Sequence, residues 1–135
     1  GNRAYYVHRA IRMNGNVSVD LIEETMSSLI ERHEILRTVF VEKSGLVYLK
    51  ILAPFRLVAR QLDISYAPKS RHKLIETELI QSTCLIPFDL ENGPLFRVTL
   101  IKNYEDQYLL IWSQHHLIHD GWTQGVLISE FMGMI

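Results

Sequence analysis

Residues 113–125 read SQHHLIHDGWTQG, which places three of the chain's six histidines within five positions, followed by Asp120, Gly121 and Trp122. The flanks say what kind of backbone carries them. Leu95 to Lys102 is apolar and β-prone, Asn103 to Asp106 is a polar turn, and Gln107 to Gln114 reads as a second strand, so the spacing predicts an antiparallel pair. Tyr108, Leu110, Trp112, Gln114 and His116 share one face of that second strand if the pairing runs so far. Past Gly121, Val126, Leu127, Ile128 and Phe131 begin a helix. The histidines therefore stand in a turn between a strand end and a helix.

Three chemistries suit that arrangement. Two imidazoles and a carboxylate could hold a metal, but neighbouring strand residues point to opposite faces, so His115 and His116 do not readily grip one ion; no metal site is expected. A structural reading makes the histidines satisfied turn residues, with Asp120-Gly121 as turn formers. The third reading is acid–base chemistry, in which one imidazole reaches a substrate and the acid and glycine fix the loop. Imidazole suits this because its ordinary pKa of ~6.5 lies near the operating pH.

Upstream, Leu21, Ile22, Met26, Leu29, Ile30, His33 and Leu36 recur at spacings of three and four, predicting a helix from Asp20 to about Arg37, with Asp20 and Glu23 as its starting pair. Thr38–Glu42 and Leu46–Leu52, joined by Lys43-Ser44-Gly45, form a hairpin. Phe55 to Ile64 has room for one more strand. Pro68 to Leu85 is helical by spacing at Leu74, Ile75, Leu79 and Cys84, with Pro68 in the first turn. Residues 86–97, IPFDLENGPLFR, make a structured loop, and Arg3 to Met13 alternate as an opening strand. Cys84 reads as a small buried apolar residue.

With 135 residues, a net charge of −1 and 47% hydrophobic residues, the chain suits one domain with a real core and gives no electrostatic reason to expect nucleic acid or a membrane surface. The single cysteine, Cys84, precludes an intrachain disulfide, and neither a signal peptide nor a spanning run is seen, so a cytoplasmic location is expected. The absence of an initial Met and the strand-like opening lead to the expectation that the chain is cut from something longer.

HHLIHDG at 115–121 matches the HHxxxDG pattern, RHEILRTVF at 32–40 the element RHExLRTxF, and FDLENGPLFRVTLI at 88–101 a segment FDLxxGPLxR. With DGWTQG as continuation, the chain resembles, from about Ala4 onward, the condensation domains of nonribosomal peptide synthetases, within the superfamily of chloramphenicol acetyltransferase. The resemblance implies an α/β fold: a chloramphenicol acetyltransferase-like lobe, a mixed β-sheet packed with α-helices. It also implies that residues 1–135 are most of the N-terminal lobe of a two-lobe domain, incomplete at both ends and inactive alone.

By the same resemblance His116 is the catalytic residue, at which an amine attacks an acyl or peptidyl thioester to form an amide. No cofactor is bound directly; the substrates ride on phosphopantetheine arms of upstream and downstream peptidyl carrier domains. An adenylation domain and the C-terminal lobe complete the expected partners, in the same or a partner polypeptide. Asp120 turns from the substrate to pair with an arginine, Arg32 or Arg37, His115 supports the loop, and Gly121 permits a close backbone approach. Whether His116 takes a proton or mainly orients the amine is left open. Two rival readings are a stand-alone acyltransferase using coenzyme A or fatty thioesters, and a non-catalytic docking domain. Against the second stands the retention of both histidines. Gly-Trp-Thr-Gln after Asp120 is unlike the Ser-Trp-Arg ending of epimerisation domains, and the two-Asp pattern of heterocyclisation domains is absent.

Overall fold

The computed structural model describes residues 6–118 and 121–134. Four strands form one sheet in the order β1-β6-β5-β4, where β1 is Tyr6–Asn14, β4 is Arg60–Asp63, β5 is Phe96–Tyr104 and β6 is Gln107–His115. The pairs β1/β6 and β5/β6 are antiparallel and β4/β5 is parallel, so the sheet is mixed. Two further strands, β2 (Thr38–Lys43) and β3 (Leu46–Ile51), make a separate hairpin. The helices are α1 (Val19–Arg32), α2 (Lys69–Cys84) and α3 (Gly121–Met134).

Alternation along β5 and β6 gives the sheet two apolar faces. Phe96, Val98, Leu100, Leu110 and Trp112 pack with Ile22, Met26, Leu29 and Ile30 of α1 and with Leu127 and Phe131 of α3. Ile101, Leu109 and Ile111 face the other way, against Ile64 and the α2 residues Ile75, Leu79 and Ile80. Trp112 stacks on Phe96 with ring centroids 6.0 Å apart, and its indole N–H donates to Gln114 Oε1 at 2.7 Å within the core. Burying both polar groups is tolerable because each satisfies the other.

The structure moves several boundaries. Helix α1 starts two residues earlier than the Asp20–Glu23 pair implies: Ser18 is the N-cap and its Oγ accepts from the Leu21 N–H at 3.1 Å. Glu23 is occupied elsewhere, accepting the Ala59 N–H at 2.7 Å. At the other end, α1 closes at Arg32, and residues 34–37 form a 3-10 turn, so His33 and Leu36 fall outside the regular helix. Pro68 is the N-cap of α2 rather than a residue of its first turn. Cys84 is only partly buried.

The loop 86–95 is ordered by its own residues. Asp89 Oδ1 accepts from the N–H groups of Glu91 and Asn92 at 3.1 and 3.2 Å, and Oδ2 from Asn92 Nδ2 at 2.8 Å. Gly93 is required by shape as well as by conformation. Its φ is +63°, and a Cβ there would lie 2.6 Å from Val39 Cγ1. The loop is joined to the hairpin where the Phe40 N–H donates to the Leu90 carbonyl at 2.8 Å.

Candidate active site

Strand β6 ends at His115, whose N–H donates to the Leu95 carbonyl at 2.8 Å, and the chain then winds into a 3-10 turn, residues 116–118. His116 is therefore the first residue of a turn and not the next position on the strand. The shared face expected for Gln114 and His116 stops at Gln114, because pairing with β1 and β5 ends before position 116. His116 is exposed, His115 half-buried and Ile118 buried, so the turn is pinned to the core at its far end and open at its start.

His115 closes the turn. Its Nδ1 accepts the Leu117 N–H at 3.0 Å, which fixes the neutral ring's proton on Nε2. The ring also meets Phe88 edge-on, with centroids 6.3 Å apart and planes at 72°. Burial, and secondly the charge of His116, lower the pKa of His115, which favours the neutral form that this hydrogen bond needs.

Alongside, His8, Ser113 and Arg97 stand abreast on β1, β6 and β5. His8 Nδ1 lies 3.0 Å from Ser113 Oγ, and its pKa is lowered by burial and then by the charge of Arg97. Arg97 donates to the carbonyls of Ile86 and Pro87, each at 3.3 Å, and its guanidinium lies 4.4 Å from the centre of the Phe88 ring. The sequence reading gave no role to Phe88 or Arg97, although both lie in a segment it singled out.

The two arginines of RHEILRTVF are used differently. Arg37 donates Nε to Ile30 O at 2.9 Å, Nη1 to Leu52 O at 2.8 Å and Nη2 to Glu31 O at 3.3 Å, capping the carbonyl end of α1 and tying it to the chain after β3. Arg32 pairs with Glu130 of α3 at 3.0 Å, and His33 Nε2 reaches the same oxygen at 3.2 Å. That carboxylate is held below its ordinary range, first by the hydrogen bond from His33 and also by Arg32. The segment thus brings α1 to α3, the helix that Gly121 opens. His119 and Asp120 lie outside the described residues, as does the side chain of Trp122, so the roles expected of Asp120 and Gly121 are not placed.

Among the described residues no group of three His, Cys, Asp or Glu side chains could hold a metal ion. None of the described helices is long and apolar enough to cross a membrane.

A family model described as the condensation domain matches residues 1–135, and the chain belongs to that family. It is 36% identical over 126 residues to malpinin synthetase of Mortierella alpina, covering 93% of this chain and 2% of that protein. To surfactin synthase subunit 1 of Bacillus subtilis (strain 168) it is 35% identical over 129 residues, covering 94% and 3%. It thus spans only a few per cent of these curated relatives. Among solved structures it is similar to the SgcC5 protein of Streptomyces globisporus, with a TM-score of 0.86 and 22% identity over 96% of this chain and 29% of that one. The starter condensation domain of rhizomide synthetase RzmA gives a TM-score of 0.83 at 19% identity, over 96% and 32%. The fold is the mixed α/β, chloramphenicol acetyltransferase-like fold of condensation domains.

Proposed function

We propose that the chain is the N-terminal lobe of a domain that forms amide bonds in nonribosomal peptide synthesis, with His116 at the reacting centre. The observation that carries this is His116 itself: within a match to the condensation family over residues 1–135, HHxxxDG puts its second histidine on the exposed first position of a turn that His115 fastens. An imidazole so held faces outward while its backbone stays fixed, as a group that must meet a delivered substrate requires.

The substrates are an acyl or peptidyl thioester and an aminoacyl acceptor, each on the phosphopantetheine arm of a carrier domain. The acceptor amine attacks the thioester carbonyl carbon, the C–N bond forms, and the tetrahedral intermediate collapses as the C–S bond breaks. The new amide nitrogen sheds one proton and the departing thiolate takes one. His116 stands to receive the first or, since an α-amine has a pKa of about 8 and is partly neutral already, to orient the amine lone pair. Asp120 pairs with Arg32 in preference to Arg37, whose donors are directed to three carbonyls. An adenylation domain and a second lobe complete the machinery.

The test is His116→Ala in the native polypeptide that carries this sequence, supplied with carrier-bound donor and acceptor. Product formation is expected to fall about a hundredfold or more. An unchanged rate would sink the catalytic role and favour the docking reading. Turnover of coenzyme A thioesters in place of carrier-bound donors would favour a stand-alone acyltransferase.

A further inference from the structure

Arg97 is the second residue of β5, and its side chain reaches back over the loop that leads into the strand. Its two terminal nitrogens bind the carbonyls of Ile86 and Pro87, each at 3.3 Å, and its Cζ lies over the Phe88 ring, 4.4 Å from the centre. Three successive residues, in a stretch with no helix or strand of its own, are thereby held by one guanidinium. Only arginine combines a planar fork of donors with a face that stacks on an aromatic ring; lysine offers a point charge.

Phe88 passes that restraint on. Its ring meets His115 edge-on at 6.3 Å, which opposes rotation of the imidazole. The imidazole has to keep one orientation, because Nδ1 must stay 3.0 Å from the Leu117 nitrogen to accept its N–H. Leu117 directly follows His116 in the turn, so a ring that swings away releases the backbone beside His116.

We infer that Arg97 is a positioning residue for His116, acting through Phe88 and the His115 ring; the inference rests on the role of His116 proposed above. A group that only stabilises the loop lowers the amount of folded protein. A positioning group lowers kcat of the protein that is folded and leaves KM for carrier-bound substrates alone. Misplacing a reacting group by about 1 Å costs on the order of a hundredfold, and a contact removed by two intermediaries is expected to cost about tenfold.

Arg97→Lys and Phe88→Leu, made in the native polypeptide, test this. Each is expected to lower kcat about tenfold with KM for both carrier-bound substrates within about twofold, and the double variant is expected to be no worse than the weaker single, because the two residues act in series. Phe88→Tyr, which keeps the ring, should recover the rate lost in Phe88→Leu. Should Arg97→Lys fail to fold, the Phe88 pair carries the test. A kcat within about twofold of the unaltered protein, a loss carried by KM, or losses that multiply in the double variant would each overturn the inference. His116→Ala measured beside them separates the two ideas. Full activity there removes the proposed function and this inference with it, whereas loss there with normal Arg97→Lys and Phe88→Leu removes only the inference.

Discussion

His115 and His116 are neighbours in sequence and opposites in use. One is half-buried with Nδ1 committed to a backbone N–H; the other opens the turn to solvent. The doublet was visible in the sequence, but the strand alternation invoked to set its two rings apart stops at His115, and the different settings of the two come from the turn that begins at His116. What the sequence could not supply was the tautomer of His115, which depends on where the Leu117 N–H falls once the strand gives way to a turn. A pH dependence follows. The folded-state pKa of His115 is lowered from 6.5, so the unfolded chain takes up the proton more readily. Its contribution to stability is full above the ordinary histidine value and is lost as the pH falls through the lowered one. His8 shifts in the same direction, from burial and Arg97, and adds to the same decline. Urea unfolding between about pH 7.5 and 5.5 should show stability falling, and falling less in His115→Asn, which has an oxygen acceptor and no titration in this range. Equal slopes would contradict the assignment.

Among the elements, α1 shows what periodicity can and cannot say. Its buried stripe Ile22, Met26, Leu29 and Ile30 is readable from spacing alone, because a helix facing a core repeats every 3.6 residues. Its ends are not. The start was read at Asp20 and lies at a Ser18 cap, since Glu23 was drawn to the Ala59 N–H, 36 residues away. The end is decided by Arg37, whose third carbonyl belongs to Leu52. Arg37→Met is therefore expected to cost about 3 kcal/mol, as it removes charged donors from three carbonyls. Arg32→Met should cost less than about 1 kcal/mol, because the Arg32 side chain is 50% exposed and its pair with Glu130 is screened by water. Urea midpoints of the two variants would settle the order; equal losses would mean that Arg37 is not a cap. The loop 86–95 is a similar case. Its turn residues Asp89, Asn92 and Gly93 announce a bend, yet the need for glycine is set by Val39 of another element as well as by the positive φ of the turn.

On the scale of the whole molecule, the hairpin stands apart from the four-stranded sheet and β3 is exposed along its length. Val47 and Leu49 are 68% and 63% exposed on a strand whose outer edge has no partner among the described strands. Such an apolar edge is a template for pairing with another chain. Val47→Lys with Leu49→Lys should reduce self-association of the isolated chain in light scattering while leaving its unfolding free energy in urea within about 0.5 kcal/mol, since neither side chain is in the core. Undiminished scattering would place the sticky surface elsewhere.

The β5–β6 pair, the buried stripe of α1 and the histidine motif were fixed locally, by patterns of period two and three to four and by residues within a few positions of each other, whereas Leu74, expected on the α2 stripe, is exposed. They were legible for that reason. The order β1-β6-β5-β4, the exit of His116 from the strand face, the division of labour between Arg32 and Arg37, and the reach of Arg97 to His115 through Phe88 were decided only in three dimensions. Each depends on a partner far away in the chain. Spacing records which side chains share a face; it does not record which distant carbonyl, ring or carboxylate that face will meet.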